Sequence, residues 1–132
     1  MFKVKVRDHL FIAHSLKDDF FGPAKNLHGA TYVIDLIIAS QNIDDKNVVI
    51  DIGVAARLLK ECIDIYNYKN LDEIPELKDI ITTTEFMAQQ LTNDFIEKLK
   101  QEKFDSSSLY SIKMILNESH AASASYKKII NE

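Results

Sequence analysis

The sequence predicts an α+β domain, an antiparallel sheet with two helices on one of its faces. Two observations predict it. Apolar and polar residues alternate with period two in segments near both ends of the chain, and between them the apolar spacing changes to three and four. A third observation bounds the answer. The 132 residues are 46% hydrophobic and 27% charged, with three glycines and two prolines, which suits a single domain over residues 1–132 without long flexible linkers.

Residues 2–14 open the chain as a strand. Phe2, Val4, Val6, Leu10 and Ile12 fall on one side, interrupted by Asp8, and Lys3, Lys5, Arg7 and His9 on the other. Residues 15–27 carry Gly22-Pro23 and no steady period, so they read as a loop. Residues 28–40 resume the alternation, with Tyr32, Ile34, Leu36 and Ile38 on one face. Asn42 to Asn47 is turn-like, and Val48 to Ile52 reads as a short third strand, paired with 28–40 as a hairpin. Val54, Ala55, Leu58, Leu59, Cys62, Ile63 and Tyr66 then mark the apolar stripe of a first helix. Pro75 lies in the loop after it, and Thr82 and Glu85 stand at capping-box spacing before a second helix. That helix carries Met87, Leu91, Phe95 and Leu99 on one stripe and ends near Lys103. Residues 109–118 and 123–130 are two more strands, joined by a turn at Ser119 to Ala122. Such a sheet leaves open edges, for which pairing between subunits is the expected cover.

Composition excludes several classes. The net charge is −4 and no basic cluster exceeds the alternating Lys3, Lys5 and Arg7, which reads as a solvated strand face; nucleic acid is not an expected partner. The single cysteine, Cys62, forbids an intrachain disulfide. No apolar run approaches the roughly 20 residues needed to span a bilayer, and residues 1–6 lack the apolar stretch of a signal peptide. The expected location is the cytoplasm, with no membrane association.

Three residues stand out for chemistry. His14 has the parity of Leu10 and Ile12, and His28 that of Tyr32 and Ile34. If their strands pair antiparallel, both imidazoles meet on one face at one end of the sheet. There they either bind a metal through neutral nitrogen or are two satisfied histidines beside a loop. Glu118 continues the apolar face of Ile112, Met114 and Leu116. A carboxylate there either accepts paired N–H bonds from a flat heterocycle or reaches solvent at the strand end. Cys62 on the helix stripe reads as a small buried hydrophobe, and His9 and His120 as surface residues.

Six segments, in order, carry a resemblance. They are Phe11-Ile12-Ala13-His14; Leu27-His28-Gly29-Ala30-Thr31-Tyr32; Val49-Ile50-Asp51; Asn67-Tyr68-Lys69-Asn70-Leu71-Asp72; Thr83-Thr84-Glu85 with Met87-Ala88; and Asn117-Glu118-Ser119 followed by Tyr126. Together they resemble the F-x-A-A-H, L-H-G-H-x-Y, V-x-D-F, D-H-x-x-L-N, P-T-x-E-x-x-A and E-T motifs of the 6-pyruvoyl-tetrahydropterin and 6-carboxy-tetrahydropterin synthases. The resemblance runs nearly the whole chain. It implies a tunnelling fold, in which subunits join their sheets into a barrel as a homotrimer or homohexamer. It also implies a site between subunits, with zinc on three histidines and a glutamate holding a pterin. The implied chemistry is zinc-assisted loss of triphosphate from dihydroneopterin triphosphate, with a cysteine and an aspartate–histidine pair moving protons.

Carried over position by position, His14 and His28 match two zinc ligands and Glu118 matches the pterin anchor. The third ligand falls on Ala30, the cysteine on Ala24, and the aspartate–histidine pair on Asn67 and Tyr68. His120 and Asp51 are the candidate substitute ligands, and a phenol such as Tyr68 is a poor base near neutrality. The expectation is a family member that binds a pterin- or purine-like small molecule with its standard zinc and cysteine catalysis altered or lost. The alternative is a non-catalytic structural subunit that partners a true synthase.

Overall fold

A computed structural model describes residues 1–132. Its sheet has five strands: β1 (Phe2–His14), β2 (His28–Ser40), β3 (Lys69–Asn70), β4 (Leu109–Asn117) and β5 (Ser123–Ile129), in the order β3-β1-β2-β4-β5. All neighbours are antiparallel except β1 and β3. Two helices, α1 (Ile52–Asp64) and α2 (Thr84–Gln101), pack on one face. The predicted α+β class and the six main elements are present.

Period-two alternation puts Val6, Leu10, Ile12, Tyr32, Ile34, Leu36, Ile38, Ile112, Met114 and Leu116 on the helix-facing side, all buried. Against them α1 lays Ala55, Leu58, Leu59, Cys62 and Ile63, and α2 lays Met87, Ala88, Leu91, Phe95 and Leu99. The core is this one interface between two layers.

The helix ends have local causes. Asp51 caps α1, its carboxylate accepting from the N–H groups of Gly53 (2.7 Å) and Val54 (3.4 Å). Thr83, not Thr82, caps α2: its hydroxyl accepts from the Phe86 N–H at 3.1 Å. The residue three beyond this cap is Phe86, so no capping box forms. The C-terminus of α2 is a Schellman turn, with Lys103 left-handed at φ 57°. The Lys103 N–H donates to Lys100 O and the Phe104 N–H to Leu99 O, each at 3.0 Å.

The hairpin expected between 28–40 and 48–52 does not form. Strand β2 pairs with β1 on one side and β4 on the other, which leaves no edge for a third partner. Residues 48–51 are instead an irregular approach to α1, with Ile50 buried in the core. The loop over 15–27 contains 3-10 turns across Asp19–Lys25, broken at Gly22 where φ is 56°. The two-residue β3 was not expected. It pairs only with Ile12 and Ala13, so most of the outer edge of β1 is open, as is the outer edge of β5.

Candidate functional site

His14 and His28 are direct cross-strand partners in the β1–β2 ladder. Their ring centroids are 4.6 Å apart with the planes at 61°. His14 is buried, and its Nδ1 shares a hydrogen bond with Thr82 Oγ1 at 3.0 Å. The contact spans 68 residues of sequence. His28 Nδ1 lies 2.8 Å from the carbonyl oxygen of Asn26. A carbonyl only accepts, so Nδ1 of His28 carries a proton and donates it. Burial lowers the pKa of His14, and the neighbouring His28 lowers it further; the Thr82 bond and the charges of Asp72 and Glu118 oppose this. The imidazole is therefore held in its neutral, electron-donating form near neutrality.

The chain gathers more groups at this end of the sheet. The Asp72 carboxylate accepts from the N–H of Ser15 at 3.1 Å and from its hydroxyl, tying the loop after α1 to the end of β1. Tyr32 is buried, and burial raises its phenol pKa against a hydrogen bond to Thr84. The charge of Glu118 is felt at both His14 and Tyr32.

Glu118 itself corrects an expectation. It does not extend the buried face of β4. The last rung pairs Asn117 with Val33 and Ser123, and Glu118 lies one residue beyond, exposed, in a turn where its N–H donates to Ala122 O at 3.0 Å. Its carboxylate belongs to none of the chain's ion pairs.

The positions that break the motifs have structural occupations. Ala30 sits opposite Ile12 and offers no donor atom. Ala24 lies in the 3-10 segment, where its carbonyl accepts from the Leu16 N–H at 3.0 Å. Asn67 Oδ1 accepts from the Phe11 N–H (2.9 Å) and the Tyr68 N–H donates to Phe11 O (2.7 Å), which clamps the chain after α1 onto the edge of β1. Tyr68 takes a left-handed φ of 59°, costly for a bulky residue, and its exposed ring stacks on Phe11 at 5.2 Å.

No group of three or more histidine, cysteine or acidic side chains is arranged to hold a metal ion. Asp51 is not a substitute ligand, because its carboxylate caps α1 and it lines a cleft with Phe2 and Val4. Val4 and His14 are ten residues apart along β1, about 33 Å at strand rise. His120 lies exposed in the turn after Glu118. One chain thus supplies two donors where zinc takes at least three from protein, and the residues present do not make a closed zinc site. Cys62 is buried within the helix layer, and burial pushes its thiol up to about 12, so it is no nucleophile.

A cleft of about 730 Å³ is at the opposite end of β1, between Phe2, Val4, Ile43, Val48 and Phe104. At the histidine end a hollow of about 240 Å³ lies between Asp72, Leu77 and Ile80. Neither cleft is lined by His14, His28 or Glu118.

No helix is long and apolar enough to cross a membrane. Residues 3–128 match the family model described as 6-pyruvoyl tetrahydropterin synthase. The chain is 30% identical over 102 residues to the 6-pyruvoyl tetrahydrobiopterin synthase of Dictyostelium discoideum, covering 76% of this chain and 71% of that protein. Its fold is similar to the 6-pyruvoyl tetrahydropterin synthase of Caenorhabditis elegans, with a TM-score of 0.78 at 21% identity over 96% of this chain and 95% of that one. It is equally similar to the Plasmodium falciparum enzyme, with a TM-score of 0.79 at 20% identity over 97% and 98% of the two chains.

Proposed function

Because this chain belongs to the 6-pyruvoyl tetrahydropterin synthase family, we propose that it binds a pterin-type heterocycle through Glu118, with the family's zinc and cysteine chemistry altered or lost. The observation that carries this reading is the state of Glu118. It is an exposed carboxylate outside every ion pair, near enough to the buried His14 for its charge to oppose the lowering of that histidine's pKa. Two coplanar N–H groups on a flat ring, as on the amino-pyrimidine edge of a pterin, complement such a carboxylate through a pair of charge-assisted bonds. A purine with the same edge is the related ligand. His14, whose pKa burial lowers, and His28 beside it stand at the same sheet end. Bound zinc would supply Lewis acidity in this family, but two imidazoles are too few to fix it, and Ala24, Asn67 and Tyr68 bring no competent proton carrier.

The binding surface is completed by a second copy of the chain. The open edges of β1 and β5 support this, since β1 runs toward the histidine end and β5 runs away from it. The two edges therefore meet antiparallel when subunits join. That pairing sets the Phe11–Tyr68 edge of one copy beside the Glu118 turn of the next. Repeated around a ring it gives the barrel of a trimer, or of a hexamer made from two trimers.

Titration calorimetry with 7,8-dihydroneopterin tests the reading. The expected result is saturable binding of one equivalent per chain. No heat of binding at millimolar ligand would overturn it and favour a structural subunit that joins a catalytic relative through the same open edges.

A further inference from the structure

The cleft of about 730 Å³ at the Phe2 end of the sheet is lined by none of the residues that the pterin reading uses. Its walls come from segments that the fold already holds in place. Phe2 and Val4 bring the start of β1, residues of the segment 43–54 the connection from β2 into α1, and Phe104 the turn after α2. Asp44 organises the connection. Its carboxylate accepts from the N–H groups of Lys46 (2.8 Å) and Val48 (3.2 Å), and its own N–H donates to Val48 O at 3.0 Å. Its carbonyl accepts from the Asn47 N–H at 2.9 Å, with Asn47 left-handed at φ 64°. Phe104 is fixed by its N–H bond to Leu99 O. A cleft with tied walls stands open before any ligand arrives, and this volume is in the range of small-molecule sites.

The walls are mainly apolar, and part of that surface meets water. Phe2 is 47% exposed, Val48 38% and Ile52 62%. The charged residues of the cleft differ in what they are free to do. Its three carboxylates are already engaged: Asp44 on the N–H groups above, Asp51 on those of Gly53 and Val54, and Glu102 on the Arg57 guanidinium. Lys3 and Lys46 line the cleft too, and neither belongs to an ion pair. Apolar walls beside two unpaired ammonium groups complement a molecule that is apolar along its body and negative at one end.

We propose that this cleft binds a small amphipathic anion, an aliphatic body carrying a single carboxylate, with the body on the apolar walls and the carboxylate toward Lys46 and Lys3. An aliphatic body is favoured over a flat ring because branched aliphatic side chains, Val4, Ile43, Val48, Val49 and Ile52, make up most of the apolar wall. A cationic head would meet carboxylates that are already bonded. A second anionic group would find no further free cation, since Arg57 is held by Glu61 and Glu102. The site stands at the far end of β1 from His14 and His28, so the proposal does not depend on pterin binding.

The test is an NMR titration of the full chain with octanoate, 1-octanol and octylammonium. Octanoate is expected to shift the amide signals of residues 43–54 and Phe104 saturably and to leave those of His14, His28 and Glu118 in place. 1-Octanol has the same body without the charge and should bind about tenfold more weakly, because two exposed ion pairs are lost. Octylammonium should bind more weakly still. Lys46→Gln should weaken octanoate about threefold and leave 1-octanol unchanged, a split that a merely structural effect would not produce. Val48→Asp removes apolar wall and adds a negative charge, so it should weaken octanoate at least about tenfold. Both positions are exposed, so each variant should melt within about 3 °C of the parent. Binding of 7,8-dihydroneopterin should not change in either. No shift of residues 43–54 at millimolar octanoate, or equal affinity for the three compounds, would overturn the proposal.

Discussion

Replacing Glu118 by alanine is expected to weaken binding of 7,8-dihydroneopterin about 100-fold or more and to leave the fold unaffected. The size follows from what is removed. A hydrogen bond to a charged group contributes about 1.5–3 kcal/mol, and the proposed anchor makes two. About 3 kcal/mol corresponds to roughly two powers of ten in Kd. The lack of effect on folding follows from position, since Glu118 is exposed, lies past the last rung of β4 and joins no ion pair. Exposed substitutions of that kind stay within about 0.5 kcal/mol. Glu118→Gln should be intermediate, because it keeps an acceptor and loses the charge. Calorimetry paired with thermal melts checks both halves. A large fall in Tm would assign Glu118 a structural role and remove the basis for calling it an anchor.

Phe95→Ala should produce the largest loss of stability, about 3–5 kcal/mol in urea denaturation. Phe95 is fully buried on α2, in the cluster that includes Leu91, Leu99, Met114 and Leu116. The sheet is rigidly paired beneath it, so the space left cannot collapse and the neighbours lose contacts without replacement. Against a total of about 5–15 kcal/mol for a domain, that loss leaves a marginal protein. The denaturation midpoint should fall with little change in slope. A loss below about 1 kcal/mol would show that α2 repacks, and would contradict a core built on this one interface.

The sequence made the fold legible wherever a period persisted. Thirteen residues of alternation in β1, and the threes and fours of α1, each bury a face on their own terms. Val48 to Ile52 misled because a short apolar run before a helix cap has the composition of a strand. Whether it pairs depends on an edge that β4 takes from 69 to 84 residues further along. The meeting of His14 and His28 was legible because parity and antiparallel pairing are both local rules. The bond from His14 to Thr82 was not, since nothing in either segment marks the other. The exposure of Glu118 turned on β4 ending one residue early. The motif positions mark where this chain departs from the residues the resemblance implies; the structure adds that Asn67 and Tyr68 hold the edge of β1.

The most direct test of the central reading is to incubate the protein with dihydroneopterin triphosphate and excess zinc, then recover bound and free species by chromatography. The account predicts that the heterocycle is retained by the protein intact and that no triphosphate is released above the protein-free control. Stoichiometric retention lost in Glu118→Ala would complete that result. Turnover with release of triphosphate would contradict it, and would require the His14–His28 pair to hold a working metal with donors from a second chain.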